Sequence, residues 1–131
     1  VSRGLDTFEY AVLRVVPRVE RGECLNAAVL VYCRQRDYLG SRVHLDADRL
    51  RALDPTADPV AIAWALQAAA DVCAAAPDAG AAGREALGPR FRWLTAPRST
   101  VVQPSAVHTG LTADPDAEAD RLLDLLVLPP R

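Results

Sequence analysis

Cys24-Leu25-Asn26-Ala27-Ala28-Val29-Leu30-Val31-Tyr32-Cys33 is the stretch on which the fold turns, an apolar run with Asn26 as its one polar side chain. A run of this length and character reads as a β-strand covered on both faces, and therefore central in its sheet. Upstream, F-E-Y-A-V-L-R-V-V-P from Phe8 to Pro17 is aromatic and β-branched and stops at proline, which predicts a neighbouring strand. Glu20-Arg21-Gly22-Glu23 joins the two as a polar turn. Downstream, Arg34-Gln35-Arg36-Asp37 is a second polar turn, and Tyr38 to Leu45 alternates. There Leu39, Ser41, Val43 and Leu45 share one face, and Gly40, Arg42 and His44 the other. Three strands joined by short turns predict an antiparallel meander.

Beyond Leu45 the period changes. Asp46 is placed to cap a short helix running to about Leu53, and Asp58-Pro59 is a cap followed by proline at the first helical position, opening a helix to about Ala76. Ile62, Leu66, Ala69, Ala70 and Cys73 form its apolar stripe, with Val60 and Trp64 beside it. A helix this apolar around its circumference is expected to be well buried. The run falls short of the ~20 residues a membrane span needs, so no membrane association is expected. Three glycines and two prolines between Pro77 and Pro89 predict a mobile loop with one helical turn at Arg84 to Leu87. Arg90 to Thr95 reads as a short strand or extended segment. Val101-Val102-Gln103 reads as an edge or bulged strand, because Pro104 follows. Asp114-Pro115-Asp116 opens the last helix, with Ala119, Leu122, Leu123 and Leu126 toward the core. The order predicts an α+β fold: a three-stranded antiparallel meander at the N-terminus, extended by later edge strands, with helices packed on the sheet. One domain over residues 1–131 is expected.

A length of 131 residues is enough to bury roughly two-thirds of the surface of the open chain. Half the residues are apolar and 24% are charged, which excludes global disorder. A formal charge of −2 speaks against a dedicated nucleic-acid binder. All fifteen basic residues are arginine, and with the abundant alanine this matches a GC-rich bacterial coding bias. The absence of lysine excludes Schiff-base catalysis and a phosphate-gripping P-loop. Cys24, Cys33 and Cys73 form no CxxC pair, lie in apolar runs and are expected to pack as small hydrophobes. That usage, with no signal segment opening the sequence, gives a cytoplasmic expectation.

Candidate chemistry concentrates between Arg90 and Asp114. Arg98-Ser99-Thr100 sets a guanidinium beside two hydroxyls and their amides, a group able to hold phosphate or carboxylate. His108-Thr109-Gly110 offers one of two histidines beside a glycine that permits close backbone approach. The competing reading is a long loop whose hydroxyls bond its own backbone. Arg92 beside Trp93 is a thin base-stacking candidate. Arg21 and Glu23 with Asn26 form a second cluster, but Glu23 and Asn26 differ by three and fall on opposite strand faces. Hairpin and backbone roles compete with a functional one there. No GxSxG, HExxH, GxGxxG or EF-hand pattern occurs, and two histidines cannot build a His-rich metal site. No cofactor and no metal are expected, and the balance leans against an enzyme.

The segments E-Y-A-V-L-R-V-V-P, R-G-E-C-L-N-A-A-V-L-V-Y, R-F-R-W-L-T-A-P-R-S-T-V-V-Q-P and V-H-T-G resemble, in this order, the bacterial family called domain of unknown function 3037. Its members commonly carry N-V-G or N-I-G where this chain has Asn26-Ala27-Ala28. The resemblance implies no established activity. It marks Arg21, Glu23, Asn26, Arg98, Ser99, His108 and Gly110 as recurring positions. Family genes often neighbour one for a HipA-like kinase, which implies a partner or accessory role. Two functions therefore stand. One is a non-catalytic module for a protein partner (kinase-like) or for a homodimer, docking through an apolar patch on the strand faces or the final helix. The other is a small anion- or nucleotide-binding or phosphoester-handling domain, in which Arg98, Ser99 and Thr100 hold the anion, His108 moves a proton and Glu23 assists. That second function requires Arg98 and His108 on one concave surface.

Overall fold

The run Leu25–Cys33 forms β2, flanked by β1 (Asp6–Val15) and β3 (Tyr38–Val43), in a computed structural model that describes residues 4–130. All pairings are antiparallel, in the order β3-β2-β1, and the far edge of β1 is taken by two later strands in succession. β4 (Val102–Pro104) pairs with Leu13 to Val15, and β5 (His108–Thr112) pairs with Asp6 to Tyr10. The expected meander with later edge strands is therefore present, with five strands in all. β5 lies in the stretch that the competing sequence reading treats as a long loop. Its H-T-G-L-T shows no apolar alternation because His108, Thr109 and Leu111 are exposed and only Thr112 is buried.

Helices cover both faces of the sheet. α1 (Ala47–Leu53), α2 (Pro59–Cys73) and α3 (Leu87–Thr95) lie on one side, around Leu13, Val15, Leu30, Leu50, Leu66, Phe91 and Leu94. α4 (Pro115–Leu126) lies alone on the other, where Ala119 and Leu122 meet Phe8, Val12, Val29 and Val31. The doubly covered β2 is thus buried along its length, as its composition requires. Asp46, Asp58 and Asp114 cap α1, α2 and α4, each carboxylate accepting two backbone N–H groups.

Three expectations are corrected. Arg90 to Thr95 is helical, not extended: Phe91 and Leu94, three apart, are the buried pair of α3, and Pro89 sits in its first turn where no N–H is needed. The helix therefore begins inside the Pro77 to Pro89 segment, which also holds a 3-10 turn at Ala82–Arg84. α2 is not well buried. Ile62, Leu66, Val72 and Cys73 enter the core, yet Val60 is 62% and Trp64 76% exposed. The reason is geometric: one sheet face and α3 cover one side of the helix, and no element of the described residues lies over its outer side. Cys33 and Cys73 are buried as expected, whereas Cys24 is exposed, one residue before the strand begins.

A bulge in β2 sets the phase of its first residues. Leu13 pairs with Ala28 and Arg14 with Asn26, leaving Ala27 unopposed, and the Ala27 carbonyl accepts the His44 backbone N–H at 2.8 Å. Ala27 and Ala28 consequently both face the α1–α3 side, and Asn26 turns toward α4.

Candidate functional site

The Arg21–Glu23 cluster is closed on itself. Gly22 takes a left-handed φ of 70° at the β1–β2 turn, and Arg21 Nε donates to Glu23 Oε1 at 2.6 Å. That bond holds the Glu23 carboxyl below its usual range, with both side chains exposed. Asn26 does not join it. Its Nδ2 donates to the Leu126 carbonyl at 3.0 Å, satisfying an orphan group at the end of α4.

The second cluster is divided by the sheet. His108 is the cross-strand partner of Tyr10, with ring centroids 5.3 Å apart, on the face that α4 covers. Thr109 is exposed beside Glu9, and Gly110 lies against the Phe8 ring. Arg98 is on the opposite face: its guanidinium stacks 4.4 Å over the Trp93 ring and donates to the Trp93 carbonyl. Arg92, on α3, donates to both carboxylate oxygens of Glu9 at 2.9 and 2.8 Å, so it braces helix against sheet and is no free base-stacking arm. Thr100 Oγ1 donates to the Val102 carbonyl, the self-bonding expected of a loop, and Ser99 is exposed. Arg98 and His108 therefore share no concave surface, and the anion- or phosphoester-handling site that required both has no geometry here. Among the described residues, no group of three or more acidic, cysteine or histidine side chains is placed to hold a metal ion.

The structure does form a groove that sequence reasoning missed. It runs between α2 and the segment from Arg98 to Val102, in two lobes that share Ala65, Thr100 and Val102. Each lobe encloses about 360 Å³. Leu13 and Val72 floor one lobe, with Trp93 and Arg98 on its wall and Asp71 and Asp78 at its end; Ala61 and Ile62 line the other. Of the large apolar side chains left in solvent, Trp93 and Val101 line the groove, and Val60 and Trp64 stand on α2, the helix that forms its other wall. Val43, Leu111 and Leu125 sit on three other elements, and Val19 lies in the β1–β2 turn. The signal was present in the sequence, since α2 is apolar on all sides and only a partner layer would cover it.

The family described as Protein of unknown function (DUF3037) matches residues 10–127. The chain belongs to that family. The match begins within β1 and ends just after α4, so the DUF3037 unit takes in both helical layers, the groove and every candidate residue discussed above. No curated protein and no solved structure matches the chain. No helix of the described residues is long and apolar enough to cross a membrane.

Proposed function

We propose that this DUF3037 protein is a non-catalytic interaction module that docks protein surface on the outer side of α2. One observation carries the reading: exposed Trp93 and Val101 line a groove along α2, and the same helix leaves Val60 and Trp64 in solvent. Exposed apolar area gathered in one place is the usual mark of a contact surface, whereas scattered apolar residues need no explanation. The docking face is assigned to α2, not to the strand faces or the last helix, because α1 to α4 cover the strands and α4 turns Leu122, Leu123 and Leu126 onto the sheet, leaving Leu125 alone in solvent. The polar candidates support the same reading, since Arg21, Asn26, Arg92, Arg98 and Thr100 each have an internal bonding partner. A kinase-like protein is the candidate that such a module would accompany, as the family resemblance implies.

The test compares two tagged variants in affinity capture from native cells. Trp64→Glu and Leu125→Glu each alter an exposed side chain, so both leave the core intact. A companion held at fixed stoichiometry by the parent chain and by Leu125→Glu, and lost by Trp64→Glu, is the expected result. Identical companions for both variants would overturn the docking face.

A further inference from the structure

We propose that the occupant of this face is a second copy of the same chain, with Trp64 of each copy seated in the groove of the other. The inference rests on the docking reading above and names its partner. A two-fold contact is made by one surface meeting itself, so projection and hollow must occur side by side on the same patch. They do. Trp64 projects from α2 with 76% of its surface free. The lobe lined by Ala61, Ala65, Val101 and Val102 begins on the same helix, with Ala61 and Ala65 both to one side of Trp64 around the helix axis.

Charge favours the same occupant. From Val60 to Ala70 the helix carries no ionisable side chain, so two copies of net charge −2 bring no like charges into contact along it. The far lobe is lined by Arg98 as well as by Asp71 and Asp78, so that end offers both signs, as a self-complementary surface must. The area is also sufficient. Two half- to mostly-exposed indoles, two valines and the alanines between them offer on the order of 500 Å² per copy, near the lower bound for a specific pair. Small alanine side chains at Ala61, Ala65 and Ala68 let the facing backbone come close, which raises the contact made per unit of that area.

Sedimentation of the full chain over a micromolar to submillimolar series tests the pairing, with tryptophan emission recorded on the same samples. Because the only two tryptophans are Trp64 and Trp93, emission reports this surface and no other. The expected result is a particle of twice the chain mass that dissociates on dilution as the emission moves to the red. Trp64→Glu, and separately Ala65→Arg from the groove side, are expected to weaken pairing by more than about tenfold while circular dichroism is unchanged. A single-chain mass throughout the series, or a pair untouched by both variants, overturns the assignment. If the chain is single yet a different protein is captured and lost with Trp64→Glu, the second copy is excluded and the docking face stands. If neither pairing nor capture depends on Trp64, both readings fall.

Discussion

Ser105 Oγ accepts the backbone N–H of Val12 at 2.9 Å, while the Ser105 N–H donates to the Val12 carbonyl at 2.8 Å. This pair sits where the chain passes from β4 to β5, just after Pro104, which has no N–H to give the ladder. A side-chain oxygen here replaces a strand carbonyl, so the Val12 N–H stays paired where one short strand gives way to the next along the edge of β1. Ser105 is buried, so water cannot substitute for its hydroxyl. Ser105→Ala is therefore expected to cost about 1–3 kcal/mol, the penalty for orphaning a buried donor. Urea unfolding would show it as a lower midpoint at unchanged slope. A midpoint equal to that of the parent chain would mean the bond contributes nothing.

Gly110 answers a different steric demand. A Cβ built there would lie 2.7 Å from Cε1 of Phe8, whose ring is buried under α4 and stacked on Tyr10. The glycine in V-H-T-G thus makes room for an internal ring and not for a ligand. Gly110→Ala is expected to destabilise by about 1–3 kcal/mol through overpacking. Adding Phe8→Leu, itself destabilising, should give a double variant less impaired than the two single costs combined. Strict additivity in that cycle would show that the two positions are not coupled.

How far the sequence could be read follows from how local each cause is. The caps Asp46, Asp58 and Asp114, the β2 run and the Leu-rich stripe of α4 act within a few residues, and each is where its pattern says. Arg90 to Thr95 reads as extended because its helical signal is only Phe91 and Leu94, and glycine and proline at its start look like loop. The division of Arg98 from His108 was hidden for another reason. Ten residues apart in sequence, they are sent to opposite sides of the sheet by the pairing of β5 with β1, a long-range event. The groove was half visible. An all-round apolar α2 announces contact on every side, but whether another layer of the same chain supplies it depends on the packing of α1 and α3.

The amide of Asn26 is expected to matter for the end of α4 and for nothing in the turn beside it. Its Nδ2 meets the Leu126 carbonyl, at the negative end of the helix. Asn26→Ala should cost about 1 kcal/mol, the net worth of a typical bond. Asn26→Asp should cost more, because a carboxylate oxygen then faces a carbonyl oxygen and the helix dipole. Amide exchange would rise in the last turn of α4 for both variants. Equal stability of the Ala and Asp variants would refute the donor role.

Acid should unfold the protein partly through Asp54. Its Oδ1 accepts the Thr56 hydroxyl at 2.7 Å and the Thr56 N–H at 2.9 Å, with Arg18 at 3.4 Å, and it is 5% exposed. The Thr56 hydroxyl first, then its N–H, holds the Asp54 carboxyl below its ordinary value of 3.8, against the opposing effect of burial. Asp116 is lowered too, by its bonds to Arg42 and Tyr38. A depressed folded-state value means that the unfolded chain binds more protons at low pH. Stability from both groups is therefore complete above the ordinary carboxylate range and is lost as pH falls through it to the lower folded values. Asp54→Asn should lower stability near neutrality and flatten the acid limb of the stability curve. Asp116→Asn should do so weakly and lose its effect in high salt, because that side chain is 70% exposed and its pair is screened. Denaturant midpoints measured down the acid range for the parent and both variants decide it. An acid limb of unchanged slope in Asp54→Asn would remove Asp54 from the account.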